Sequence, residues 1–242
     1  MPIPTGPSTF AKPLMTCAGG SAMADDHAAA RALLTGDELT TAMVGIGMGF
    51  AADPEAEPNI EDTLIAASIE GMERDDMRVL AILVTWLEAH HAYINAHCLL
   101  RAIRTLNAPR VRAFWAAVGQ WLHKDRRFAR FTGLCESERI DLLRTGTDFH
   151  VRRCGEDSRF SGSCLRVPAG VLRDRKRDVL SSGALAGIHR AYRFRILMGP
   201  TSRADMWAAL EQDPTRTPAD IARRAHGCHR VAGQTGLGSC QW

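Results

Sequence analysis

Residues 79–87, VLAILVTWL, decide most of what this chain can become. They sit in a predicted helix over 77–90 whose Val79, Leu80, Leu83, Val84, Trp86 and Leu87 are apolar nearly all the way round. A helix without a polar face must be enclosed by other helices. Interrupted by Thr85, the run is well short of the ~20 apolar residues that a membrane crossing needs, so it predicts a bundle centre and no membrane partner. The neighbours supply the walls. A helix over 60–73 starts on Asn59 and aligns Ile60, Leu64, Ile65 and Ile69, while Asp75 and Asp76 open the central one. Asn95 caps a helix over 96–106. The next, 108–122, repeats Val111, Phe114, Trp115, Val118 and Leu122 at helical spacing, with Arg110 and Arg112 off the stripe. Upstream, residues 25–43 read as one helix or two, broken at Thr35-Gly36, with Thr35, Asp37 and Glu38 as start signals. Short connections favour antiparallel neighbours, so 25–131 is expected to form one helical bundle. Gly45, Gly47 and Gly49 lack the preceding strand and the Lys-Ser/Thr of a phosphate loop; they predict a flexible turn into an acidic linker over 51–58.

After Phe131 the pattern loosens. A short helical piece is expected over 140–143, with strands near 148–153 and 164–167, the second held to an edge by Pro168. Ser181 and Ser182 open a helix continuing through Ala186, Ile188, His189 and Tyr192. Residues 132–200 thus predict a small basic α+β segment in a mainly α protein. Residues 1–24 lack the basic and apolar regions of a signal peptide and are expected to be a disordered leader, with Met15 or Met23 as alternative starts.

Charge is nearly balanced overall, 30 Lys and Arg against 27 Asp and Glu, but it is segregated. About nine acids face Arg74 alone over 51–76, whereas about twenty cations face about nine acids over 101–195. Such polarity suits contact with a polyanion, and equally a solvated arginine-rich surface. Arg152, Arg153, Arg173, Arg175, Lys176 and Arg177 make the densest basic run. Seven scattered cysteines without paired spacing predict no disulfide framework and a reducing cytoplasm.

Chemistry finds little purchase. His90, His91, His97 and Cys98 lack the spacing of a shared metal face, and a histidine at the end of the central helix is expected to meet the dipole's negative end. His226, Cys228, His229 and Cys240 suit zinc by type but match no finger by spacing. Asp141, Asp148, Glu156 and Asp157 would serve as acid–base groups only if gathered, for instance in a pocket converging Asp148, His150 and Glu156. No catalytic residue, cofactor or metal ligand is assigned.

The C-terminal residues 201–227 read as the first two helices of a helix-turn-helix. They are separated by residues 213–216 around Pro214, and the second helix begins with Thr217 as N-cap, Pro218 at its first position and Asp220 in its first turn. Ile221, Ala222 and Ala225 form its apolar edge, and Gly227 its stop. The run RFRILMGPTSRADMWAALEQDPTRTPADIARRAHG resembles the C-terminal part of uncharacterised bacterial proteins similar to AbiEi-type antitoxins of type IV toxin–antitoxin systems, as do IEDTLIAASIEGMERDD and RVRAFWAAV. In that group the run continues as a helix of the form SFATAWQVKRDW. This chain departs from it at Cys228. Reverse-translating residues 227–242 and reading one base later permits Ala-Thr-Gly-Trp-Gln-Val-Lys-Arg-Asp-Trp-Glu-Ala-Ala, so a frameshift at or just before Cys228 is expected, with 228–242 a disordered tail. The resemblance implies a non-catalytic DNA-binding regulator whose recognition helix is lost, and a nucleotidyltransferase-like toxin as a second partner. Arg203, Arg216, Arg223 and Arg224 are the expected phosphate contacts of the hairpin, with Arg173, Arg175, Lys176 and Arg177 as a second basic surface. The alternative is a helical scaffold or toxin-neutralising protein that docks through its acidic and basic segments without DNA.

Overall fold

The computed structural model describes residues 34–135, 138–217 and 219–221. Over these the chain is mainly α-helical, with a two-stranded parallel sheet. The apolar run is the middle of α3 (Met77–His90), where Val79 through Leu87 are all buried. It packs on α2 (Ile60–Glu73), beside α1 (Gly36–Gly45), α4 (Ala96–Arg104) and α5 (Pro109–Trp121). α2 lies against α1, α3, α4 and α5, and α5 against the 3-10 segment Phe128–Leu134.

Local chemistry sets the starts. The Asn59 carboxamide accepts from Asp62 N–H at 3.0 Å, Asp76 from Arg78 and Val79 N–H at 3.0 and 2.9 Å, and Asn95 from Cys98 N–H at 3.3 Å. Two buried indoles are also satisfied: Trp86 donates to Ile46 O at 2.8 Å and Trp115 to Ser68 Oγ at 3.0 Å. The glycine-rich turn is pinned, contrary to the flexible turn expected. A side chain on Gly45 would meet Glu55 O at 2.5 Å, Gly49 N–H donates to Asp178 O at 2.7 Å, and Leu180 N–H to Gly47 O at 2.9 Å.

The middle of the chain differs from expectation in three places. Ile140–Asp141 is a strand, β1, paired in parallel with β2 (Leu165–Arg166), because Ile140 and Leu142 donate to Cys164 O and Arg166 O and Leu142 is buried. The strand expected near 148–153 is instead α6 (Thr147–Cys154). Of its residues only Thr147 is buried, so no sheet neighbour competes with i→i+4 bonding, and Gly146 and Gly155, at φ +77° and +79°, bound it. The helix expected from Ser181 through Tyr192 is two, α7 (Ser182–Ile188) and α8 (Arg190–Met198), broken at the extended His189. α9 (Ser202–Gln212) packs on α8.

One hydrophobic core runs from Leu39 to Tyr192, so the basic middle shares the bundle's interior through Leu142, Phe160, Leu165, Val167 and Leu172. Among the described residues no helix is long and apolar enough to cross a membrane.

Candidate functional site

The C-terminal helices are fastened to the bundle by buried polar groups. Arg195 of α8 is 2% exposed and sits between Glu61 of α2, at 2% exposure, and Asp205 of α9, at 8%. Its guanidinium donates to Glu61 at 2.7 and 2.8 Å and to Asp205 at 2.7 and 3.0 Å, a doubly bidentate geometry that a lysine could not reproduce. The Asn95 backbone N–H adds a bond to Glu61 at 2.8 Å. Two carboxylates against one guanidinium leave one excess negative charge. Accordingly, burial holds the Asp205 carboxyl above its ordinary value despite Arg195, while Arg195 is held firmly protonated.

Two buried histidines complete the fastening, both through Tyr192. His90 Nε2 lies 3.0 Å from Leu180 O, which can only accept, so that nitrogen carries the proton and Nδ1 accepts from the Tyr192 hydroxyl at 2.6 Å. His189 repeats the arrangement: Nε2 donates to Pro58 O at 2.9 Å, and Nδ1 accepts from Tyr192 N–H at 3.2 Å, which makes His189 the N-cap of α8. Burial lowers both pKa values, which favours the neutral rings that this bonding uses, and the Tyr192 phenol is pushed up to about 12 for the same reason. His90 thus bonds to distant groups, and not to the end of its own helix, where a histidine is expected to meet the dipole. His91 alone turns back, its Nδ1 3.1 Å from Leu87 O.

A pH dependence follows from this geometry. Unfolded imidazoles protonate near pH 6.5, the buried ones lower, so the unfolded state binds more protons as pH falls below 6.5. The two histidines' contribution is full above that value and is lost as pH falls through their lowered folded values. A second proton would also occupy the Nδ1 that caps α8. Asp205, raised by burial, acts in the opposite sense, its contribution being lost as pH rises from its unfolded value near 3.8 through its raised folded one, so the two histidines are expected to outweigh one carboxyl. Native protein is expected to show a lower urea midpoint at pH 5.5 than at pH 7.5, and His90→Gln with His189→Asn to flatten that difference; equal native midpoints would contradict the assignment.

Of the expected terminal hairpin, the described residues cover α9, the turn and residues 219–221 of the second helix. An Asx turn, with Thr215 N–H donating to Asp213 Oδ1 at 3.0 Å, reverses the chain after α9, and Thr217 caps the next helix by accepting from Asp220 N–H at 3.2 Å. Arg203 is exposed in the first turn of α9. Arg216 is half-buried, 3.4 Å from Asp213. Arg223, Arg224, the cluster of His226, Cys228, His229 and Cys240, residues 1–24, where a leader is expected, and 228–242, where a shifted frame is expected, lie outside the described residues. On the second basic surface, Arg173 and Arg177 are exposed with no ion pair among the described residues, Lys176 pairs with Asp174 at 2.9 Å, and Arg175 lies 3.7 Å from Asp178. Of the predicted phosphate contacts that are described, Arg203, Arg173 and Arg177 are open to solvent, while Arg216, Arg175 and Lys176 lie beside carboxylates.

Much of the basic excess is structural. Arg110 donates to Met72 O and Leu142 O at 3.0 and 2.8 Å, joining α2 to β1. Arg127 holds Asp125 and the carbonyls of Ala92 and Ile94. The acidic groups considered for acid–base work are engaged in the same way: Asp141 and Asp148 with Arg166 at 2.7 Å, Glu156 with Arg139 at 2.5 Å, Asp157 with Arg159 at 2.6 Å. Hydrogen bonding from their arginines keeps the Asp141 and Glu156 carboxyls below the usual range, so they are ion-pair anchors rather than proton carriers. Asp148 and His150 stand exposed on α6. Among the described residues no three His, Cys, Asp or Glu side chains come together to hold a metal. No protein family model, curated protein or solved structure matches this chain.

Proposed function

We propose that the chain is a non-catalytic DNA-binding regulator of antitoxin type that has lost its recognition helix. The supporting observation is the mounting of α9. Its inner face is tied to the bundle by Asp205–Arg195, its first turn presents Arg203 to solvent, and Thr217 opens a second helix after a tight turn. A helix tied to the bundle on one face, with an arginine exposed in its first turn and in no ion pair among the described residues, suits phosphate contact, which positions such motifs without reading sequence. Base readout is assigned to the third helix, which in this chain gives way to residues 228–242. Sequencing the coding DNA across codons 226–229 tests that part: codons that forbid the shifted reading would end it.

The phosphate-contact part is tested by fluorescence anisotropy with unrelated duplexes. Arg203→Ala is expected to weaken binding to all of them alike and to make the salt slope shallower by about 0.9, the share of one phosphate contact. An unchanged slope would remove Arg203 from the interface.

A second reading, a toxin-neutralising or scaffold protein, is favoured by one observation. Ile196, Leu197 and Met198 of α8 and Trp207 of α9 are exposed at 39%, 71%, 40% and 48%, as apolar groups that dock protein partners often are. Stoichiometric co-purification with a neighbouring gene's nucleotidyltransferase-like product, without DNA, would favour it.

A further inference from the structure

A half-open cleft of about 480 Å³ lies between the start of α4, residues 126–130 and the start of α9. Its volume falls within the roughly 300–1,000 Å³ of small-ligand sites. It is lined by Asn95, Ala96 and His97 on one side, Arg126, Arg127 and Arg130 on another, and Pro200, Thr201 and Ser202 on the third. The two helix starts are brought together by Cys98 and Ser202, whose Sγ and Oγ are 3.9 Å apart.

The three arginines differ in what they are free to do. Arg127 is spent: it forks onto Asp125 and reaches the carbonyls of Ala92 and Ile94, so its charge is answered within the protein. Arg126 and Arg130 are exposed, line the same cleft and form no ion pair with any described residue. The buried carboxylates Glu61, which accepts from Asn95 N–H, and Asp205 share Arg195, so at most one uncompensated negative charge faces the two unpaired cations Arg126 and Arg130. The guanidinium groups therefore set the sign of the cleft. The starts of α4 and α9 add to the same sign, and Thr201 makes no side-chain cap on the N–H groups of α9. Planar guanidinium forks match the oxygens of a phosphate group, and polar side chains of serine, threonine and histidine complete such a site.

We propose that this cleft binds a phosphate group, held between Arg126 and Arg130 beside His97, Thr201 and Ser202. The phosphate is that of a small phosphorylated ligand, since the recess is concave, of small-ligand volume and lined by three separate segments. The site is independent of Arg203 and of the DNA-binding reading, and would stand if that reading failed.

The test uses the full chain and isothermal titration with pyrophosphate and, separately, a short DNA duplex, at low ionic strength in chloride. Two variants are compared: Arg126→Ala with Arg130→Ala, and, as a control for net charge, Arg152→Ala with Arg153→Ala on exposed α6. All four side chains are exposed, so urea unfolding should verify unchanged stability. Saturable pyrophosphate binding, weakened tenfold or more by the first pair and unchanged by the second, is the expected result. Dependence on Arg126 and Arg130 seen only with the duplex would overturn the small-ligand assignment and make the cleft a backbone-phosphate contact. No saturable binding of either probe, or equal loss in both variants, would overturn the site altogether.

Discussion

Arg195→Ala is expected to cost about 3–5 kcal/mol of unfolding free energy, because it strands two carboxylates in the interior. Glu61 and Asp205 are 2% and 8% exposed, and each currently accepts two guanidinium bonds. Neither can turn to water without opening the contact between α2, α8 and α9. Arg195→Lys should also be destabilised, since one ammonium cannot satisfy two carboxylates bidentately. The loss reflects desolvated charge rather than an intrinsically strong ion pair. Replacing Glu61, Arg195 and Asp205 together by leucine, methionine and leucine should therefore recover most of it, as exchanges of buried ionic clusters for apolar side chains commonly do. Urea denaturation of the three variants measures both effects. A loss under about 1 kcal/mol for Arg195→Ala would contradict the description of the triad as the main fastening of the C-terminal helices.

Trp86→Ala should be of similar size, about 3–5 kcal/mol, through a different cause. The indole is fully buried within α3, packs 4.8 Å from the His90 ring and donates to Ile46 O. Its removal leaves a cavity in the most enclosed part of the bundle and deprives that carbonyl of its partner, an added penalty of order 1–3 kcal/mol where relaxation cannot repair it. Trp86→Phe keeps most of the volume and should lose markedly less. The two substitutions separate packing from hydrogen bonding by urea midpoint. Near-identical losses would mean that the Nε1 bond to Ile46, rather than the volume, dominates.

What could be read from residues alone was local. Asn59, Asp76, Asn95, Ser181 and Thr217 are short polar residues that accept bonds from N–H groups two or three positions on, and each opens a helix as its neighbourhood suggested. The all-round apolar stretch of α3 likewise named its own position. What escaped was set by distant partners. The break at His189 depends on Pro58 O, 131 residues away, and the role of Arg195 on Glu61, 134 residues away. Periodicity carries no trace of either. For the same reason the segregation of charge overstated the free cationic surface, since Arg110, Arg127 and Arg166 are occupied with carbonyls or carboxylates. α6 was misread because its weak alternation is that of a solvent-exposed helix as much as of an edge strand. The cleft at Arg126 and Arg130 was out of reach altogether, its walls coming from three separated segments.

The central reading, that the clamped terminal hairpin carries sequence-independent contact with nucleic-acid phosphate, is tested most directly by the salt dependence of duplex binding. Anisotropy titrations of the native chain against two unrelated duplexes, between about 50 and 200 mM salt, should give equal affinities for both. The plot of log K against log salt should fall with a slope of about −1.8 or steeper, corresponding to at least two phosphate contacts at about 0.9 each. Absence of binding at the lowest salt, or a slope near zero, would contradict it.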